Sequence, residues 1–126
     1  MSEGLIQKQV AIALSKQPGV RIFRNQVGQG WVGKFAGNLG NGRILLENAR
    51  RVSFGLQPGS GDLIGWKTIA GRAIFLSAEV KTDTGRMSHE QVNWLDFVRK
   101  SGGIAEVFRS ADEVAQLNLT DYQHLA

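Results

Sequence analysis

Ala73-Ile74-Phe75-Leu76-Ser77-Ala78-Glu79-Val80-Lys81 is an almost continuous apolar run that ends in two charges of opposite sign. A run of this length predicts a central strand covered on both faces. Just before it, Asp62-Leu63-Ile64-Gly65-Trp66-Lys67-Thr68-Ile69 follows the turn residues Pro58-Gly59-Ser60-Gly61 and reads as a second strand. Gly71-Arg72 makes a hairpin-like turn between the two. Paired in this way, Asp62 at the start of one strand lies opposite the end of the other, where Glu79 and Lys81 sit. Because Glu79 and Lys81 are two residues apart, both point to the same side of the sheet.

Working outward, residues 3–16 read as a helix with Leu5, Ile6, Val10, Ala13 and Leu14 at helical spacing, closed by Pro18-Gly19. Positions 3, 6, 10 and 14 share one side, which places Glu3 near the apolar face. Residues 20–27 alternate as a half-buried strand. The glycine-rich, basic stretch 28–42 reads as a flexible loop; no regular element is expected between 28 and 50, and 51–54 is a weak strand candidate. Beyond the polar loop 82–87, Ser88 starts a helix with Gln91 in capping-box position, ending at Gly102-Gly103. Residues 104–108 form a short strand, and Ser110 caps a last helix through about Leu119. That order predicts a small α/β fold with a mixed sheet flanked by helices.

The chain has 126 residues, 42% hydrophobic and 21% charged, which suits one compact domain spanning 1–126. With no cysteine, a metal has to be held by oxygen or imidazole, which favours a hard ion such as Mg²⁺ or Mn²⁺. Polar residues interrupt the N-terminal apolar positions, so neither a signal peptide nor a membrane span is expected, and a cytoplasmic location is. Net charge is +4, with a pI near 9.9. It is unevenly spread: residues 16–72 hold nine basic and two acidic residues, about +7, and the remainder is about −3. Such polarity would orient the chain on a polyanion through phosphate contacts, with Arg24, Lys34, Arg43, Arg50 and Arg51 as the candidate nucleic-acid-binding residues.

Two carboxylates and an ammonium on neighbouring strands can hold a divalent ion, prepare a water for attack and stabilise charge on a scissile phosphate. Asp62, Glu79 and Lys81 are therefore the candidate site of a metal-dependent phosphodiesterase. Taken alone, Glu-x-Lys is also what a surface ion pair looks like; the preceding Gly61-Asp62 at hairpin distance and the following amphipathic helix are what raise it. Gly28-Gln29-Gly30-Trp31-Val32-Gly33-Lys34 matches phosphate-loop spacings, but Phe35 stands where Ser or Thr is needed and no helix follows, so a nucleotide cofactor is not expected. Trp31 and Phe35 there are candidates for wedging or stacking at a DNA junction. His89 and His124 read as surface residues rather than a zinc site, and Asp83 as a solvated loop residue.

On Gly61-Asp62, Glu79-Val80-Lys81, Gln91 and Gly102-Gly103-Ile104-Ala105-Glu106-Val107, the sequence resembles the VRR-NUC family of the PD-(D/E)xK nuclease superfamily over nearly its whole length. Gly61 stands where the superfamily signature has proline. The resemblance implies a restriction-endonuclease-like core and a stand-alone nuclease of phage or bacterial type. It also implies a site of Glu3, Asp62, Glu79, Lys81 and Gln91, with the Val80 carbonyl as a further metal ligand. The activity it implies is Mg²⁺- or Mn²⁺-dependent endonucleolytic hydrolysis of branched DNA such as Holliday junctions, by a homodimer whose two sites nick two strands. A less selective flap, end or single-strand nuclease and an inactive DNA-binding module are the alternatives. No base-reading motif is evident, so recognition through backbone and shape is expected.

Overall fold

A computed structural model of the chain describes residues 1–117. Helix α1 (Glu3–Ser15) begins where the Ser2 hydroxyl accepts the Leu5 N–H at 3.2 Å, and it buries Ile6, Val10 and Leu14 along one stripe. Strand β1 (Val20–Arg24) is followed by the long β2 (Gly28–Gly40) and β3 (Arg43–Phe54), then β4 (Leu63–Ile69) and β5 (Arg72–Val80). Helix α2 (His89–Lys100), β6 (Ile104–Phe108) and the short α3 (Ala111–Gln116) complete the order.

One sheet runs β1-β4-β5-β6. The β1/β4 and β4/β5 pairs are antiparallel, whereas β5/β6 is parallel because α2 forms the crossover between them. The sheet is mixed, as the element order predicts. Alternation along β5 assigns its faces: Leu76, Ala78 and Val80 pack with Ile6, Val10 and Leu14 of α1 and Val114 of α3. Ser77 and Glu79 point the other way, where their side chains meet Trp94 and Gln91 of α2. Both faces of β5 are covered, and Leu76 to Val80 are all buried.

Three expectations are corrected. Residues 28–50 are not a loop: β2 and β3 form a separate antiparallel two-stranded arm, paired from Gly28↔Phe54 to Gly40↔Arg43 with register shifts along it. Its tip is the two-residue turn Asn41-Gly42, both in the left-handed region at φ 55° and 76°, the geometry that suits the twist of a hairpin. The first strand stops at Arg24 rather than Val27, and the next residue, Asn25, bonds Ser60 and Gly61 through its side chain. The β4–β5 turn is Ala70-Gly71, with Arg72 already in β5. Leu119, the expected end of the last helix, and His124 lie outside the described residues.

Burial sets how much each apolar side chain contributes to stability. Leu76→Ala, at a site with no solvent exposure, is expected to cost about 2–5 kcal/mol in urea unfolding. Phe97→Ala on α2, where the ring is 71% exposed, should change stability by no more than about 0.5 kcal/mol in the same assay.

Candidate active site

Extending the β4–β5 register one step past Leu63↔Ala78 sets Asp62 opposite Glu79 at the open end of the sheet. The Val80 N–H donates to Asp62 Oδ2 at 2.8 Å, so the aspartate is held against the last residue of β5. In a strand the N–H and C=O of one residue leave by the same edge, which brings the Val80 carbonyl out on the Asp62 side. Glycine at 61 has a local cause: a Cβ there would collide with the Ser77 hydroxyl, so the turn fits only without a side chain.

Glu79 is 5% exposed and ringed by polar partners. Gln91 Nε2 donates to its Oε1 at 3.0 Å, and Lys81 Nζ lies 3.7 Å from the same oxygen. Burial, then the negative charge of Asp62 and a hydrogen bond with it, push the Glu79 carboxyl up to about 8; Lys81 opposes the rise, and Glu3 adds to it. Without a metal, burial and the facing Asp62 charge favour a proton on Glu79. The donor set is oxygen throughout, and a divalent cation would relieve the repulsion that holds that proton, so the residues fit a hard ion.

Gln91 serves two partners at once. Its Oε1 accepts the Ser88 N–H at 2.9 Å while the Ser88 hydroxyl accepts the Gln91 N–H, closing the capping box; its amide nitrogen reaches Glu79. The start of α2 is thereby keyed to β5. Farther along the helix, Trp94 Nε1 donates to Ser77 Oγ at 2.9 Å and packs edge-on to Phe75. After Lys81, the Arg109 guanidinium donates to the carbonyls of Thr82 and Gly85 and fastens the loop. Asp83 and His89 are exposed.

The structure brings Asp62, Glu79, Val80, Lys81 and Gln91 together. Glu3 is exposed in the first turn of α1, and its charge adds to the rise at Glu79. Among the described residues, no three His, Asp or Glu side chains are grouped as a metal cage. Arg24 lines a cleft of about 280 Å³ with Gln7, Asn25, Ser60, Asp62 and Gln91. Lys34, Arg43, Arg50 and Arg51 are exposed on the arm and do not line that cleft. On one arm face the Arg51 guanidinium bonds Gln29 and lies 5.8 Å over the Trp31 ring. Gly28–Lys34, the phosphate-loop lookalike, lies inside β2 with no helix after it. Sequence reasoning missed Asn25 and Gln7 in the cleft. An asparagine ending an alternating strand was the available signal for the first, and nothing marks the second.

The raised pKa of Glu79 predicts a pH dependence of folding. Between about 4.5 and about 8 the folded protein holds a proton that the unfolded chain has lost, so stability is greatest at the acidic end and falls as pH rises through this window. In EDTA, thermal melts of the wild type should decline across that range, by at most about tenfold in the folding constant per pH unit, and Glu79→Gln should flatten the decline. Added Mn²⁺ should raise the melting temperature more at pH 8 than at pH 6, with proton release measurable by calorimetry in two buffers.

No helix among the described residues is long and apolar enough to cross a membrane. No curated protein matches the chain. The family model of the VRR-NUC domain matches residues 43–112, a segment that contains Asp62, Glu79, Lys81 and Gln91 and leaves out Glu3, Arg24 and Lys34. With more than half of the 126 residues matched, on a restriction-endonuclease-like mixed sheet, the chain belongs to the VRR-NUC family of PD-(D/E)xK-type nuclease domains.

Proposed function

We propose that residues 1–126 form one nuclease domain that acts as a Mg²⁺- or Mn²⁺-dependent endonuclease on branched DNA such as four-way junctions, working as a homodimer. The observation that carries this reading is Glu79, a buried carboxyl facing Asp62, with a lysine 3.7 Å away and a glutamine hydrogen-bonded to it. Asp62, Glu79 and the Val80 carbonyl would hold the ion, with Glu3 as an outlying carboxylate. The chemistry a divalent ion supplies there, when bound, is polarisation of the phosphate and acidification of water.

The chain's own residues do the rest. The Val80 N–H keeps the Asp62 carboxylate turned toward the end of β5. Gln91 fixes the rotamer of Glu79 and leaves one carboxylate oxygen to other partners. Lys81, 12% exposed at its side chain, places an ammonium beside the carboxylates, where it stabilises negative charge building on the phosphate and its attacking oxygen. Arg24 lines the cleft and can neutralise a neighbouring phosphate; Lys34, Arg43, Arg50 and Arg51 extend positive charge along the arm toward more distant backbone. An arm reaching well beyond the cleft suits a substrate with several helical branches better than a single duplex. Two-fold pairing would present two such sites to two strands.

The test is cleavage of labelled four-way junction, flap, linear duplex and single-stranded DNA in Mg²⁺, Mn²⁺ or EDTA. Paired, metal-dependent nicks in the junction are expected, with Lys81→Ala slowing turnover by about 10²-fold or more while junction binding persists. Binding without cleavage in every metal would make the protein a DNA-binding module, and equal cutting of flaps and single strands would make it a less selective nuclease. Arg50→Ala and Arg51→Ala should each weaken binding across all DNA sequences and lower the slope of log affinity against log salt by about 1, without changing the cleavage rate of bound DNA.

A further inference from the structure

We infer that Asn25 is a positioning residue for this nuclease site: it sets the Asp62-bearing turn against β5 and fastens that turn to the base of the arm. The inference rests on reading Asp62 as part of the active site. Asn25 follows the last residue of β1 and is 8% exposed, with its side-chain amide engaged by the protein's own groups. Its side-chain amide is used at both ends. Nδ2 donates to Ser60 Oγ at 2.8 Å and to the Gly61 carbonyl at 2.7 Å, while Oδ1 accepts the Leu56 N–H at 3.0 Å. Its backbone N–H donates to the Asp62 carbonyl at 2.7 Å.

These four bonds fall on the segment 56–62, which leaves the arm and arrives at the candidate site. Asp62 is therefore flanked on both sides. From β5, Ser77 leaves no room for a side chain at 61 and the Val80 N–H takes the carboxylate; from β1, Asn25 holds the two residues before it and its own carbonyl. Only an amide of this length supplies two donors and an acceptor here. An aspartate keeps the acceptor for Leu56 but sets an oxygen against the Gly61 carbonyl, and alanine leaves buried polar groups unpaired. A shift of about 1 Å in the turn moves Asp62 off its partner, and displacements of that size can cost about 10²-fold in rate. The bond to Leu56 makes the same side chain the link between the arm and the site.

The experiment compares Asn25→Asp, Asn25→Ala and Ser60→Ala with the wild type and Asp62→Ala. It reads kcat and KM on junction DNA, Mn²⁺ affinity by electron paramagnetic resonance, and metal-free amide exchange at Val80 and Leu76. Folded Asn25 variants should lose about tenfold or more in kcat with KM within about twofold, bind Mn²⁺ several-fold more weakly, and exchange Val80 about tenfold faster with Leu76 unchanged. A folded Asn25→Asp with wild-type kcat and wild-type Val80 exchange overturns the inference, as does faster exchange at Val80 and Leu76 alike, which marks a merely structural role. If the Asn25 variants do not fold, Ser60→Ala decides by the same readouts. Should Asp62→Ala leave activity intact, the nuclease site lies elsewhere and the positioning role falls with it; should Asp62→Ala abolish activity while the Asn25 variants behave as wild type, the inference alone fails.

Discussion

The end of β5 is buried on both faces and yet carries ionisable groups, and most of the polar structure near it answers that constraint. A carboxylate at Glu79 cannot be ionised there without partners, because burial alone strongly favours its neutral form. The neighbouring elements act on it in opposite directions: β4 brings Asp62 by register, whose charge favours the protonated form, α2 brings Gln91 by its capping box as a hydrogen-bond donor, and β5 itself adds Lys81, which favours the charged form. Among the described residues no buried side-chain nitrogen or oxygen is left without a hydrogen-bond partner, so the charge cluster is held by a completed network. Such a network favours one arrangement of the open sheet end, and the apolar face beneath it, from Ile6 to Leu14, supplies the stability.

The body and the arm follow different physics. In the body, α1, β4, β5, β6 and α3 share one core, and α2 covers the other face of β5. The arm is two-stranded, and Trp31, Phe35, Leu39, Ile44 and Leu45 remain exposed along it. A ribbon of two strands is marginal in water by itself, so its order depends on the cross-strand pairs it makes and on its anchorage at the body. The Arg51–Trp31 contact and the Phe54 ring seated over Gly28 and Gly30 are such local supports.

How much of this could be read beforehand follows from the kind of signal each part leaves. The β4–β5 pair was legible because one apolar run and one turn mark a hairpin that brings Asp62 to the end of β5; the turn lies one residue earlier than expected, and that shift sets Asp62 opposite Glu79 itself. Gln91 was legible through the capping box, although its second bond to Glu79 depends on how α2 is seated. The arm was misread because glycines at 28, 30, 33, 37 and 40 dilute the alternation and the register shifts break its period. Asn41-Gly42 is a hairpin signal in its own right and lay in plain view. Asn25 left no periodic trace, since its part is played through contacts with residues 31 to 37 positions away.

The two ends of the arm come back to almost the same point. Gly55, at φ 78°, lies so close to the Gln26 carbonyl that a side chain would strike it, and Leu56 bonds back to Asn25. Topologically, then, residues between these points are a loop-out from a closed junction, and β1 and β4 pair directly whatever hangs between them. The body would accept an arm of another length, or a short linker, without rewiring its sheet. Reach and surface chemistry of the appendage can thus vary independently of the frame that carries the candidate site.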